Sequence, residues 1–254
     1  MISLNPYKYA TKELIKRLLW DSSWQSYPSR WRLKRLEGSK HGKKAVILCN
    51  GPSLLKSNLD LLREVDTFGL NKINLLFNKS DFRPSYIVAV NNHVLEQNKH
   101  FYNNTDIPLF LGWRAPKYKI KLRNNIFFQT VDNGFAESAT MSIGLGSTVT
   151  YVALQLAFHM GYESVALIGC DHNFETKGPA NKLVKAKNTD PNHFDPTYFS
   201  KGVKWNLPDL LNSERGYLLA RKHYENNGRK IFNCTEGGKL KIFERISLEN
   251  FLLN

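Results

Sequence analysis

Short, uniformly apolar runs, most of them ending in an amide or an acid, set the tightest limit on what this chain can fold into. "KAVILCN" (44–50), "PSYIVAVNN" (84–92), "IPLFLGW" (107–113) and "ESVALIGCD" (163–171) show no period-two alternation. A strand that is apolar on both faces is covered on both faces, as in a parallel sheet sandwiched by helices. "DTFGLNKI", "NNIFFQTV" and "RKIFNCT" supply further short strands, and helical patterns lie between them. In "PSLLKSNLDLLREV" (52–65), Leu54, Leu55, Leu59 and Leu62 predict one helix with an apolar face. "STVTYVALQLAFHMG" (147–161) predicts another, with Val152, Leu156, Phe158 and Met160 inside and Gly161 ending it. A late helix is expected in "NSERGYLLARKHYENNG". The fold class is therefore α/β, Rossmann-like, with a mainly parallel sheet and helices on both faces.

In such sheets ligands meet the carboxyl ends of the strands. The residues there are Asn50-Gly51-Pro52-Ser53, Asn71, Asn91-Asn92 and Asp171-His172. An amide both donates and accepts, so it reads a base or a ribose without placing a negative charge near phosphate. That points to a nucleotide pocket. "NGPS" is also ordinary turn and helix-start chemistry, and by itself it offers only a modest anion site at a helix N-terminus. It is neither a Walker loop nor Gly-x-Gly-x-x-Gly. "GLGSTVTY" repeats the logic more strongly, because Gly146, Ser147 and Thr148 set hydroxyls and unpaired amides at a positive helix end; a plain Ser/Thr cap accounts for the same residues.

Charge separates the first 43 residues from the rest. The chain carries +14, and residues 1–44 hold eleven lysines and arginines against three acids, a net +8. Leu14, Ile15, Leu18 and Leu19 recur at helical spacing beside Lys12, Lys16 and Arg17, and Trp20, Trp24, Tyr27 and Trp31 follow among further cations. A basic amphipathic arm over 1–43 results, ahead of a domain over 44–254, with "EGSKHGKK" read as a hydrophilic linker. The arm suits either an anionic membrane surface or packing on the domain. No nucleic-acid motif is present. No apolar run is long enough to span a bilayer and no secretory leader is visible, so a cytoplasmic protein is expected, peripheral on the inner membrane if the arm binds lipid. Cys49, Cys170 and Cys234 lie far apart, as buried inert thiols do. The spacing of Asp171, Asp190, Asp195 and Asp209 fits no calcium loop and no Asp-x-Asp pair occurs, so no metal site is expected.

"ILCNGPSLL", "FGLNKINLLF", "SYIVAVNN" and "GLGSTVTYVALQLAFHMGYESVALIGCDHNF" resemble the MptE-like family, named for an archaeal 6-hydroxymethylpterin diphosphokinase. They are also similar to the related bacterial sialyltransferases of glycosyltransferase family 42. The resemblance covers about residues 44 to 245 and is densest at 45 to 57 and 143 to 174. It implies a Rossmann-like domain. The pterin kinases carry acids after the second and third strands for a magnesium-bound triphosphate; here Asn71 and Asn91-Asn92 stand there. In the sialyltransferases asparagines at such positions contact the cytidine nucleotide, which implies that role for Asn50, Asn71 and one of Asn91 or Asn92, with Ser147 and Thr148 as the hydroxyl pair near the donor.

Inverting glycosyl transfer needs a base for the acceptor hydroxyl and help for the departing phosphate. "NTDPNHFDPTYFSKGVKW" (188–205) has the length and composition of an active-site lid. His193 in it is the first candidate base, where the sialyltransferases have a His-containing lid, and Tyr198 or Lys201 is placed to steady the phosphate. His172 is the rival base. His159, among apolar residues, reads as structural. The expected function is a glycosyltransferase of cell-surface polysaccharide synthesis that needs no cofactor. Its donor is a nucleotide-sugar, with a CMP-nonulosonic acid as one candidate, and its acceptor a lipid-linked species or an oligosaccharide. An ATP- and magnesium-dependent MptE-like diphosphokinase is the alternative, and a non-catalytic nucleotide-binding module the third. A homo-oligomer is left open.

Overall fold

The structure is a computed structural model that describes residues 5–123, 125–132 and 134–253. Helices α1 (Pro6–Asp21) and α2 (Ser26–Leu36) precede strands β1 (Lys44–Leu48), β2 (Asp66–Leu70) and β3 (Tyr86–Ala89). Short helices α3 (Asn92–Gln97) and α4 (Lys99–Asn104) lead to β4 (Leu109–Gly112) and β5 (Ile126–Phe128). Next come the two-residue strands β6 (Thr130–Val131) and β7 (Ile143–Gly144), helix α5 (Val149–Met160) and β8 (Ser164–Ile168). The remaining elements are β9 (Leu183–Lys185), β10 (Lys204–Asn206), α6 (Leu210–Asn226), β11 (Lys230–Asn233), β12 (Glu244–Arg245) and α7 (Leu248–Leu253).

Eight strands form one sheet in the order β12-β11-β8-β1-β2-β3-β4-β5, every neighbouring pair parallel. The apolar runs are its strands: Ala45 to Leu48 and Val165 to Ile168 have no exposed surface, because separate clusters of apolar side chains cover the two faces. From β1 the chain lays strands outward to β5, then returns to the other side of β1 with β8. That reversal leaves a crevice at the carboxyl ends of β1 and β8.

Helix α5 is buried all round from Thr150 to Met160. One side lies on the sheet, and the other is covered by α6 and by the turn after α2, where Gly38 N–H and Lys40 N–H donate to His159 O and Met160 O. The stretch 37–44 is thus pinned to the end of α5 instead of running free. Gly161 takes φ 94° as the C-cap, and a Cβ on it would lie 3.0 Å from the Gly38 Cα. The three cysteines are buried and unpaired.

One expectation is corrected. Residues 52–65 form two separate 3₁₀ turns, Pro52–Lys56 and Leu59–Leu62, rather than one helix, and Leu55 is exposed. Ser57 is extended, and the Asn58 side chain accepts from Asp60 N–H, a local bond that restarts the turn out of phase. The arm is part of the packed structure. Trp20 and Leu33 are buried in the two core clusters, the Phe127 N–H of edge strand β5 donates to Ser29 Oγ at 3.1 Å, and Arg32 donates to the carbonyls of Arg123 and Asn125. Yet α1 keeps Leu14, Ile15, Leu18 and Leu19 exposed, and Trp24, Tyr27 and Trp31 are exposed as well.

His159 fulfils its structural reading. Ala139 N–H donates to its Nδ1 at 3.2 Å, so Nε2 donates to Leu33 O at 2.9 Å and the ring is neutral. Burial pushes its pKa below the ordinary value, against the pull of the Leu33 bond. The unfolded chain therefore binds a proton first as pH falls, and stability is lost from about pH 6.5 downward. Equilibrium denaturation from about pH 7.5 to about pH 5.5 is expected to show that loss. In the His159→Gln variant the curve starts lower and falls less steeply.

Candidate active site

A cavity of about 490 Å³ opens at the carboxyl ends of β1, β2, β3 and β8, above the N-terminus of α5 and under the segment 190–206. Its floor carries two unusual amides. Asn50 donates through Nδ2 to Leu70 O at 3.0 Å, while its Oδ1 is buried with no partner among the described residues. Asn71, in a left-handed conformation (φ 50°), has its Oδ1 buried without a partner too. A buried acceptor left unpaired costs about 1–3 kcal/mol, which a ligand donor can recover.

Gly51 follows the paired ends of β1 and β8. Its N–H donates to Gly169 O at 2.9 Å, and a Cβ there would lie 2.0 Å from Asp171 Oδ2 and 2.7 Å from Gly169 O. Asp171 Oδ2 accepts from both Ser53 N–H and Ser53 Oγ–H, at 3.2 and 2.8 Å. The anion at that turn is thus the chain's own carboxylate. Pro52 and Ser53 do not line the cavity, which corrects their placement among ligand contacts, whereas Asn50, Gly51 and Asp171 do line it.

At α5, Ser147 (φ 59°) and Thr148 line the cavity, and Thr148 caps the helix by accepting from Thr150 N–H at 3.3 Å. Gly146 is not a lining residue; a side chain on it would meet the Tyr151 ring at 2.2 Å, so packing accounts for this glycine. Asn91 caps α3, accepting from His93 N–H and Val94 N–H, and it and Asn92 reach the cavity.

The cover is ordered by its own aromatic side chains. Phe194, Tyr198, Phe199 and Trp205 are buried, and Phe194 N–H donates to Asn50 O. His193 stacks flat on Tyr198, ring centres 4.0 Å apart, and its Nδ1 donates to Asp190 Oδ2 at 2.7 Å. Asp190, itself buried, also accepts from the backbone N–H groups of Asn192 and Phe199. With Nδ1 engaged by Asp190, Nε2 is the ring nitrogen left for another partner. Below the cover Lys72 donates through Nζ to Tyr198 O at 2.7 Å; burial pushes its pKa down to about 8, and Asp190 opposes that fall. Burial drives the Tyr198 phenol well above its usual pKa, so it stays protonated. His172 lines the opposite wall formed by β8 and α6, in a left-handed turn, with Nε2 3.0 Å from Glu214 Oε1. Lys201 is outside the cavity. It is exposed in a left-handed turn with Gly202 between β9 and β10, which points it away from the phosphate role expected of it.

Sequence reasoning weighed Asp190 only as a metal ligand and passed over Lys72. Asp190 was signalled by its position three residues before His193, and Lys72 by following Asn71 directly at a strand end.

Residues 25–177 match the family model described as 6-hydroxymethylpterin diphosphokinase MptE-like. The chain belongs to the MptE-like family. The match begins in the arm, before α2, in line with the packing of that helix on the sheet edge. No curated protein matches the chain. Among solved structures it is similar to the MAf glycosyltransferase from Magnetospirillum magneticum AMB-1, with a TM-score of 0.51 and 12% identity over 89% of this chain. The chain spans 39% of that protein's length, and at this identity the likeness is one of fold.

Gly51→Ala is expected to cost about 1–3 kcal/mol or more, since the clash at Gly169 is with backbone. Thermal denaturation measures it. Ser53→Ala, which removes one hydroxyl bond to Asp171, is expected to cost about 1 kcal/mol.

Proposed function

We propose that this MptE-like protein is a glycosyltransferase acting on a nucleotide-activated sugar. The observation that carries the reading is the Asp190–His193 pair set over a cavity whose floor holds two unsatisfied amide oxygens. Asn50 Oδ1 and Asn71 Oδ1 accept from ribose hydroxyls or from an exocyclic amino group, so a cytidine nucleotide suits them. The N-terminus of α5, with Ser147 and Thr148, faces the phosphate. His193 Nε2 takes the proton as the acceptor oxygen attacks the anomeric carbon; the bond from that carbon to the phosphate oxygen breaks, and the nucleotide departs with the electron pair. Asp190 stabilises the imidazolium that forms and holds its tautomer. Tyr198, kept protonated, lines the cavity beside it. A nonulosonic acid linked to CMP is the donor we favour, and surface-polysaccharide synthesis the setting.

The family's description favours a second reading, pyrophosphoryl transfer from ATP with magnesium. The donor set does not fit that ion. Among the described residues the cavity's one lining carboxylate is Asp171, already held by Ser53, and no cluster of three or more His, Cys, Asp or Glu side chains occurs. We therefore rank it second.

For the arm we favour an anionic membrane. Four exposed aliphatic residues on α1 stand beside Lys12, Lys16 and Arg17, and three exposed aromatics follow. Among the described residues no helix is long and apolar enough to cross a membrane. Deleting the arm is not a fair test, because Trp20, Ser29 and Leu33 belong to the fold.

Thermal shifts with CMP, UDP, GDP and ATP, with and without magnesium, are expected to show a magnesium-independent CMP response. A response to ATP with magnesium only would overturn the transferase reading. His193→Ala is expected to lower turnover by about 10²–10⁴ while nucleotide binding persists; retained turnover moves the base to His172, and no product with any donor leaves a binding module. Leu14→Gln with Leu18→Gln is expected to abolish sedimentation with phosphatidylglycerol vesicles at unchanged melting temperature. Undiminished sedimentation sinks the membrane reading.

A further inference from the structure

A second cavity, of about 140 Å³, shares Val90, Asn92 and Leu145 with the first. By water-sized volumes it holds on the order of ten waters, enough for one sugar ring. Its other walls come from separate parts of the chain: Lys16 from α1, Trp113 and Arg114 from the end of β4, and Asp132 from the end of β6. Tyr9 of α1 donates its hydroxyl to Asp132 Oδ2 at 3.2 Å, so the arm both lines this cavity and orients its carboxylate.

The chemistry of these walls selects among ligands. Trp113 is half-buried, with the Arg114 guanidinium 5.3 Å from its ring centre. The walls carry both signs: Lys16 is already paired with Glu13, and Arg114 and Asp132 both line the cavity. A phosphate or carboxylate would call for an excess of cations. A polyol calls for what is present: a carboxylate to accept from paired hydroxyls, amide and guanidinium donors for hydroxyl oxygens, and an aromatic surface for the C–H face of a ring. The contact with the first cavity, through Asn92, brings a ring held here next to whatever the first cavity activates.

We propose that this second cavity is the acceptor subsite, binding the terminal sugar of a saccharide acceptor between Trp113 and Asp132, with the arm helix completing it. The assignment rests on the transferase reading for the name acceptor, but its binding chemistry does not. It also gives the arm a role beyond docking: a helix whose apolar face lies on a membrane brings this cavity to a saccharide anchored in that membrane.

The two cavities each contain one tryptophan, Trp113 in the second and Trp205 in the first, which gives each site its own reporter. The test follows the indole N–H resonances of the full-length protein, with Trp113 assigned through Trp113→Phe and Trp205 through Trp205→Phe. The probes are the methyl glycosides of glucose, galactose and N-acetylglucosamine, galactose 1-phosphate, and CMP. At least one methyl glycoside is expected to move the Trp113 resonance and leave Trp205 in place, while CMP moves Trp205. Asp132→Asn is expected to weaken the glycoside response about tenfold and leave the CMP response and the melting temperature unchanged. If CMP moves Trp205 and no glycoside moves Trp113, the subsite proposal fails and the nucleotide reading stands. If glycosides move Trp113 and no nucleotide moves Trp205, the subsite stands and the nucleotide reading fails. A Trp113 response to galactose 1-phosphate only, or a glycoside response indifferent to Asp132→Asn, overturns the polyol assignment.

Discussion

The close approach of β1 and β8 at their carboxyl ends organises the rest of this molecule. Gly51 can donate to Gly169 O at 2.9 Å only because nothing projects from its Cα, and the Asp171 carboxylate fills the place a Cβ would take. That carboxylate then holds Ser53 at the start of the 3₁₀ turn. With the two strand ends locked in this way, Asn50 stands on the cavity floor and the chain leaving β8 is directed up past His172. The reversal of strand order at this point keeps the helical crossovers of the two halves on different sides, so the crevice stays open.

The fold was legible because burial on both faces is written directly into residue type. Strands such as Ala45–Leu48 and Val165–Ile168 admit no other environment, and α5 is capped by Thr148 and Gly161 where its pattern starts and stops. The segment 52–65 departs from its leucine pattern for a reason of the same kind. Its leucines recur at helical spacing, but Ser57 and Asn58, which compete for backbone hydrogen bonds, outweigh them. The arm was half legible. Its cations and exposed aliphatics follow from pattern, whereas Ser29 serving an edge-strand N–H depends on a contact nearly a hundred positions away in sequence, which no local signal carries.

The site divides along the same line. Strand-end asparagines were found by the rule that ligands meet carboxyl ends, and the structure brings Asn50, Asn71, Asn91 and Asn92 to one cavity with Ser147, Thr148, Asp171, His172, His193 and Tyr198. The rule does not tell a residue that faces a ligand from one that serves the turn itself. Ser53 and Gly146 satisfy it, yet one is spent on Asp171 and the other on the Tyr151 ring. Lys201 fell outside for want of a register: a left-handed pair at 201–202 turns the lysine outward, and only the pairing of Lys185 with Lys204 in the ribbon fixes where that turn lies.

His193 and Tyr198 are five positions apart in a segment with no helix, and they stack because Asp190 gathers the loop around itself. Its carboxylate receives His193 Nδ1 and two backbone N–H groups, so the ring is oriented by a group the cover also needs in order to hold its shape. Lys72 reinforces the arrangement from below, bonded to Tyr198 O and lying 4.9 Å from the Phe199 ring centre. His193 is therefore oriented by the cover and not by the sheet. Displacing the cover would carry Asp190, His193 and Tyr198 away together, and its return would reassemble them over the cavity, so under the proposed transferase reading closure and chemistry would be coupled through residues already in place.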